Sequence, residues 1–192
     1  MSTMTETFGY YEPTDRGSWM QTYTGRQFYP LHPYPNDVDP EDIAHALAHI
    51  CRYGGHVDRF YSVAEHCVLM SRAVAPEHAL SALLHDATEA YIVDVPRPLK
   101  HLLLDYQDIE DEVWLAVSTR FRIPLELDPS IKIADNRMLL AERDQLLKDP
   151  PPIPWTWAND LKPAHIGDGW LGRMTNPPEK RWRLIAWDDY TR

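Results

Sequence analysis

Two ionisable side chains, His85 and Asp86, stand side by side in the stretch ALLHDATE, residues 82–89. Adjacent helix positions point about 100° apart, because one turn holds about 3.6 residues. Both side chains therefore reach the same ion only if it lies over the seam between them. His66 upstream and Asp135 downstream would complete a mixed set of nitrogen and oxygen ligands. Such a set suits a divalent metal that catalyses hydrolysis.

Each of these four side chains also has an ordinary interpretation, as a helix cap, a salt-bridge partner or a core histidine. However, both His66 and Asp135 lie in apolar helical contexts. One residue separates His66 from the run Val-Leu-Met that follows it, and Asp135 comes directly after Ile-Lys-Ile-Ala. Burying a carboxylate in such a context without a partner is costly. A shared metal ion is one natural partner, and the occurrence of all four residues in this order favours it.

The order His, His-Asp, Asp on separate helices resembles the signature of the HD-domain metal-dependent phosphohydrolases, over about residues 39–147. Four further motifs resemble the small nucleotide-hydrolysing branch of that superfamily. That branch includes bacterial 5′-deoxynucleotidases and phage dATP triphosphohydrolases. The motifs are RYGGH at 52–56, FYSVAEH at 60–66, HDATEAY at 85–91 and DVPRPLK at 94–100. They indicate the superfamily and the branch but not the substrate.

The resemblance implies that the metal ligands are His66, His85, Asp86 and Asp135. A bound ion would polarise a phosphoryl oxygen, lower the pKa of a water molecule, or both. The ligand types leave Zn, Co, Mn and Mg open as the resident metal, and a triphosphate substrate would bring additional metals with it.

Two further carboxylates are expected to handle protons. Glu89 is three residues past Asp86 and four past His85, so on a helix it shares their face and suits a general base or acid. Its alternative is a salt bridge to a helix neighbour. Asp94 matches a family position used for substrate or proton handling, and its alternative is a cap of the turn before Pro96.

Three basic side chains are the predicted substrate-binding residues. Arg52 suits phosphate because a guanidinium grips two oxygens at once, and the following Gly54-Gly55 lets backbone approach a ligand closely. Arg97 and Lys100 would hold more distal phosphates, with plain surface charges as the alternative.

The leading functional hypothesis is therefore a dATP/dNTP triphosphohydrolase that releases deoxynucleoside and triphosphate. The short link 74–77 and the stretch 52–66 resemble the phage-type enzymes more closely than the nucleotidases. The alternatives are a 5′-deoxynucleotidase acting on dNMPs and a non-catalytic nucleotide-sensing HD module.

Local signals predict the helices that position these residues. Asp39 caps a first helix opened by Pro40 and ended by Gly54-Gly55. Ser62 with Glu65 forms a capping box for a second helix that runs to about residue 75. The remaining predicted helices are one opened by Pro76 that reaches the His85-Asp86 pair, one at 105–121 and one at 129–148.

The expected fold is an all-α HD-domain helical bundle of a single domain. Residues 39–148 form its core, preceded by a tail and a small β-hairpin in 1–38. Aromatic residues and threonines around Thr24-Gly25 indicate the hairpin, at 19–29. Residues 149–192 are expected to form a Pro/Trp-rich flap over 150–178 and a final helix opened by Pro177-Pro178, both packed on the core or a neighbouring subunit.

The bulk composition limits location and partners. The chain has 192 residues and a formal net charge of −10, which disfavours a nucleic acid duplex as partner. The sequence shows no signal peptide and no run of about 20 apolar residues, so we expect a cytoplasmic protein (host cytoplasm if viral) with no membrane partner. Cys51 and Cys67 are read as buried free thiols. The family resemblance implies a homo-oligomer, a dimer or hexamer.

Overall fold

The computed structural model describes residues 16–148, 155, 158 and 160–166. The predicted final helix and most of the predicted flap lie outside the described residues. The described part is mostly helical, as expected, with one small antiparallel sheet. Its elements are β1 Met20–Gln21, β2 Gln27–Phe28, α1 Pro40–His49, α2 Val63–Ala73, α3 Ala79–Leu84, α4 Glu89–Ile92, α5 Arg97–Lys100, α6 Leu104–Phe121 and α7 Pro129–Leu146. Short 3-10 turns lie at Pro35–Asp37, Arg52–Gly55 and Pro76–His78.

The predicted hairpin is confirmed. β1 pairs with β2 so that Met20 lies opposite Phe28. The turn between them needs the positive φ of Gly25, 83°, which glycine adopts without a steric penalty. Buried Asp42 of α1 accepts hydrogen bonds from the backbone N–H and the hydroxyl of Thr24, at 2.7 and 3.0 Å. This carboxylate attaches the hairpin to the first helix.

The predicted start of α1 is confirmed, but its predicted end at Gly54-Gly55 is wrong. Asp39 accepts a hydrogen bond from the Glu41 N–H at 2.8 Å and Pro40 takes the first helical position. The helix ends at His49, and the chain then becomes extended.

Pairing with a distant segment ends α1 early. Cys51 forms an antiparallel bridge with Ser62, and the backbone N–H of Arg52 donates to the carbonyl of Tyr61 at 2.9 Å. The N–H of Val63 donates to the carbonyl of Ile50 at 3.0 Å. These bonds satisfy the backbone in place of further helical turns, and the glycines instead form the following turn.

The capping box of α2 is confirmed at its serine, because the Ser62 hydroxyl accepts a hydrogen bond from the Glu65 N–H at 3.1 Å. α2 ends at Ala73, two residues before the predicted end. Pro76 opens a 3-10 turn rather than an α-helix, and α3 follows it directly.

The sequence predicts His85 and Asp86 on a helix, but they lie on a tight turn between α3, which ends at Leu84, and α4, which begins at Glu89. The Ala87 N–H donates to the Leu84 carbonyl at 2.8 Å, and the Glu89 N–H donates to the Asp86 carbonyl at 3.1 Å. Both bonds span three residues, the tighter 3-10 spacing. The turn therefore presents the pair at the carboxyl end of α3.

α2 lies at the centre of the described bundle. On one side its residues Val63, Cys67 and Val68 join a fully buried core with α1, α3 and α6. On the other side Met70 packs with Met138 and neighbouring residues of α7. The central helix thus holds α3, which leads to the His85-Asp86 turn, and α7 in place around the site. None of the described helices is long and apolar enough to span a membrane.

Candidate metal centre

Four side chains from three parts of the bundle converge on one point. His66 projects from α2, His85 and Asp86 from the turn after α3, and Asp135 from α7. From the Nε2 atom of His66, the His85 Nε2 lies at 3.3 Å, the Asp135 Oδ1 at 3.6 Å and the Asp86 Oδ2 at 3.7 Å. The His85 Nε2 and the Asp86 Oδ2 are 3.2 Å apart. The structure thus brings all four predicted ligands together.

Both imidazoles present the correct nitrogen to this cluster. The Nδ1 of His66 lies 2.6 Å from the Oε1 of Glu142, and the Nδ1 of His85 lies 2.8 Å from the carbonyl of Ala82. A carboxylate and a carbonyl only accept hydrogen bonds, so each Nδ1 carries a proton. When the rings are neutral, both Nε2 lone pairs face the cluster, as in metal-binding histidines.

The donor set fits a divalent cation. The side chain of His66 is fully buried, and those of His85, Asp135 and Asp86 are 9, 8 and 20% exposed. Two imidazoles and two carboxylates of low exposure are ligands that Zn, Mn and Co accept. The buried thiol of Cys67 lies close to His85 and Asp86, with donor atoms within 4.8 Å of one another. It therefore adds a soft donor to one side of the site.

The electrostatics of the cluster favour charged carboxylates. Burial alone would raise the pKa of Asp86, but the adjacent His85 and His66 outweigh it and hold this pKa far below its ordinary value. Burial likewise opposes ionisation of Asp135, yet His66 and His85 lower its pKa. Burial alone would lower the pKa of His85, but Asp86 raises it well above its ordinary value. Asp86 and Asp135 are therefore negatively charged at neutral pH.

Arg52, the predicted substrate-binding residue, lies directly beside the candidate ligand Asp86. It opens the 52–55 turn, and its side chain is 11% exposed. Its Nη1 is 3.4 Å from the Asp86 Oδ2, while its Nη2 is 3.2 Å from the Oε2 of Glu142. A guanidinium that is held on one side by a buried carboxylate can offer its other side to an anion.

Glu89 and Asp94 are two carboxyl groups of raised pKa that interact electrostatically with Asp86. Burial raises the pKa of Glu89 well above its ordinary value, and the charges of Asp86 and Asp94 add to this effect. Burial also raises the pKa of Asp94. Among the described residues, the buried Oε2 of Glu89 has no hydrogen-bond partner. Glu89 therefore has an atom free to meet another group, as proton transfer requires.

The remaining predicted phosphate contacts lie at the edge of the site. Arg97 reaches the candidate ligand Asp135, with its Nη2 2.8 Å from the Oδ2, and the Nζ of Lys132 lies 2.9 Å from the same oxygen. Lys100 instead pairs with Glu110 of α6 at 2.5 Å. Arg97 and Lys132 are 53 and 65% exposed, so both can leave this oxygen for a bound anion.

Comparison with known proteins finds relatives of similar sequence. It is 43% identical over 129 residues to the uncharacterized protein YfdR of Escherichia coli, a match that spans 67% of this chain and 72% of YfdR. The chain belongs to the YfdR family. A second relative, an uncharacterized protein of Rhodobacter capsulatus, is 37% identical over 127 residues, which span 61% of this chain and 65% of that protein. A scan against family models finds no match.

In this member of the YfdR family, Glu142 is a residue of the site that the sequence analysis did not predict. It lies seven residues after Asp135, about two helical turns along α7, so both project from the same side of the helix. An acid within the run MLLAERDQL was the available signal. Burial would raise its pKa, but Arg52 and His66 lower it to about 2. Glu142 is thus a buried, charged carboxylate directly behind the candidate ligand His66.

Proposed function

We propose that this protein is a metal-dependent phosphohydrolase of deoxynucleotides, most simply a dATP/dNTP triphosphohydrolase that releases deoxynucleoside and triphosphate. The observation that carries the proposal is the convergence of four donor atoms around the Nε2 of His66. The order and spacing of these residues resemble the HD-domain phosphohydrolases, and that resemblance supports hydrolysis over other metal chemistry.

His66, His85, Asp86 and Asp135 would hold the divalent cation. When bound, it supplies polarisation of a phosphoryl oxygen and a lowered pKa for water. The side chains themselves exclude bulk water from this side of the site, since the exposed fraction of each is 20% or less. Their low exposure strengthens the electrostatic interactions within the site.

Arg52 would bind the phosphate that reacts. It is placed 3.4 Å from the ligand Asp86 by the 52–55 turn and by Glu142. A phosphate bound at the cluster would then lie beside the guanidinium. The planar guanidinium suits two phosphate oxygens at once and holds the phosphorus in a fixed position for attack.

Glu89 would move the proton. Hydrolysis adds the hydroxyl of water to the α-phosphorus, breaks the bond from phosphorus to O5′ and leaves a proton on O5′ of the deoxynucleoside. The pKa of Glu89 is raised from its ordinary value in the direction of neutral pH. A group whose pKa lies near the working pH both accepts and donates a proton efficiently. Asp94, also of raised pKa, would assist beside it.

A 5′-deoxynucleotidase is the second candidate. A triphosphate needs positive charge beyond the first phosphate, yet Lys100 pairs with Glu110 and Arg97 pairs with Asp135. Arg52 alone would suffice for a monophosphate, whereas a triphosphate requires the exposed Arg97 to leave Asp135 for a distal phosphate. A nucleotide-sensing module without turnover would use the same donor atoms, and it predicts binding without product.

Chromatographic product analysis on a panel of dNMPs and dNTPs separates the three candidates. Chelator-stripped full-length protein is supplied with Mn, Co, Zn or Mg, and His85→Ala is the control. Deoxynucleoside plus triphosphate from dATP supports the triphosphohydrolase, whereas deoxynucleoside plus phosphate from dAMP alone supports the nucleotidase. Absence of any product with every metal contradicts an enzyme.

A further inference from the structure

Glu142 is a fully buried carboxylate that the proposed reaction does not use directly. Its Oε1 lies 2.6 Å from the Nδ1 of His66 and accepts a hydrogen bond from the Tyr61 hydroxyl at 3.0 Å. Its Oε2 accepts from the Tyr53 hydroxyl at 2.7 Å and lies 3.2 Å from the Nη2 of Arg52. Each carboxylate oxygen thus serves two partners, one of them a residue of the proposed site.

We propose that Glu142 is a positioning residue that orients the metal ligand His66 and the substrate-binding residue Arg52 together. This inference rests on the proposed function, because it assigns Glu142 a role toward the metal and the phosphate of that site. Glu142 would touch neither of them, because both of its oxygens are occupied by side chains. It acts through the two side chains that do.

The contact with His66 determines which nitrogen faces the cluster. Because the carboxylate accepts at Nδ1, the neutral ring carries its proton there and directs the Nε2 lone pair toward His85 and Asp135.

The contact with Arg52 determines where the guanidinium points. The Nε and Nη2 of Arg52 lie 3.3 and 3.2 Å from the same oxygen of Glu142, so this edge of the plane is occupied. The opposite edge then carries Nη1, which lies 3.4 Å from Asp86. One carboxylate therefore aligns a ligand from α2 and a cation from the 52–55 turn.

A purely structural role is the competing explanation, since Tyr53 and Tyr61 also bond to Glu142. A buried ionised group is costly, and well-packed apolar residues stabilise a fold as well or better. Stability alone therefore does not account for a charge at this position. The two explanations differ in what they predict for metal affinity.

Titration of Mn²⁺ alone into chelator-stripped, full-length protein tests the inference by calorimetry. Glu142→Gln retains the size of the side chain but removes its charge, and we expect the dissociation constant for Mn²⁺ to rise about 10- to 100-fold. Tyr61→Phe removes a hydrogen bond to the same carboxylate without touching His66 or Arg52, and we expect a change below about threefold. Equal effects of the two variants on metal affinity would overturn the inference.

A measurement on the unmodified protein covers the case in which Glu142→Gln does not fold. Long-range ¹H–¹⁵N spectra of the metal-free protein, at a pH where the ring is neutral, report the tautomer of His66. We expect the proton on Nδ1. A proton on Nε2 would contradict the inference.

The outcomes separate this inference from the proposed function. If the unmodified protein does not bind Mn²⁺ or any other divalent cation, the proposed function fails. If it binds and hydrolyses deoxynucleotides while Glu142→Gln binds Mn²⁺ equally well, only the positioning role fails.

Discussion

Asp86 contacts both the candidate metal ligands and the candidate phosphate-binding residue. Its Oδ2 lies 3.2 Å from the Nε2 of His85, 3.7 Å from the Nε2 of His66 and 3.4 Å from the Nη1 of Arg52. One oxygen therefore interacts with two candidate ligands and with the candidate phosphate-binding residue. Loss of its charge should affect metal binding first.

Asp86→Asn should lose bound metal. The amide has nearly the same shape but lacks the negative charge that a divalent cation needs, so we expect the metal affinity to fall by more than about 100-fold. Elemental analysis after dialysis measures the metal content. The exposed Asp105, in the first turn of α6, supplies the control Asp105→Asn, which should retain the metal of the unmodified protein. Stoichiometric metal in Asp86→Asn would contradict the ligand assignment.

Glu89→Gln should retain the metal and lose rate. Its carboxyl has a raised pKa and a buried oxygen without a partner among the described residues, which suits proton transfer rather than metal binding. Removal of a general acid or base typically costs a factor of about 10² to 10⁴ in kcat. Steady-state kinetics with the product assay, together with elemental analysis, test this expectation. A parallel loss of metal would instead make Glu89 a ligand.

At the scale of elements, short connections rather than long helices carry much of the site. His85 and Asp86 occupy the turn after α3, Arg52 opens a 3-10 turn, and Asp94 follows the end of α4. Just before Asp94, Val93 has φ 63° and ψ 161°, a conformation strained for a β-branched residue. Its carbonyl accepts a hydrogen bond from the Tyr106 hydroxyl at 2.8 Å, which helps to hold this conformation.

Val93→Gly should stabilise the protein by about 1 kcal/mol. Glycine adopts the positive φ without strain, the side chain that is lost is 61% exposed, and the remaining cost is the greater flexibility of glycine in the unfolded chain. Urea unfolding at neutral pH measures the change. The matched control is Val95→Gly, which is half-buried and has no positive φ, and it should be destabilised by about 1 kcal/mol. Equal destabilisation of the two variants would show that Val93 is not strained.

At the scale of the whole molecule, the buried charges form one electrostatic network between α2, α7 and the two turns. The pKa values of Asp86, Asp135 and Glu142 are lowered, so these groups stabilise the fold when ionised. Those of Glu89 and Asp94 are raised, so these groups oppose folding when ionised. The dependence of stability on pH is the sum of both effects.

Glu142→Gln isolates the contribution of Glu142 to the pH dependence of stability. The folded pKa of about 2 lies below the ordinary glutamate value, so the stabilising contribution is fully present above about pH 5 and is lost as pH falls toward 2. Removing one partner of a buried charge pair costs about 3 kcal/mol, and we expect that difference from unmodified protein at pH 7. Urea unfolding of metal-free protein at pH 7, 5 and 4 should show the difference shrinking at the lowest pH. A difference that does not shrink as pH falls would contradict the ionic interaction.

The features that could be predicted are those that neighbouring residues decide. Asp39 and Ser62 cap the backbone two or three residues ahead, so α1 and α2 begin where their sequences indicate. The end of α1 could not be predicted in this way, because the bridge from Cys51 to Ser62 joins residues eleven positions apart. A local glycine signal was outweighed by backbone hydrogen bonds that exist only in the folded chain.

The sequence by itself determined the kinds of donor atom and the starts of α1 and α2, since residue type and local hydrogen bonding require no distant partner. Only the tertiary structure decided that the four candidate ligands face one point, namely His66, His85, Asp86 and Asp135. It also decided that Arg97 pairs with Asp135 and that Lys100 pairs with Glu110. Only it revealed Glu142, whose partners Tyr53, Tyr61 and His66 lie 89, 81 and 76 positions away in the chain. Directional contacts over such separations arise from the packing of α2 against α7, which no local pattern encodes.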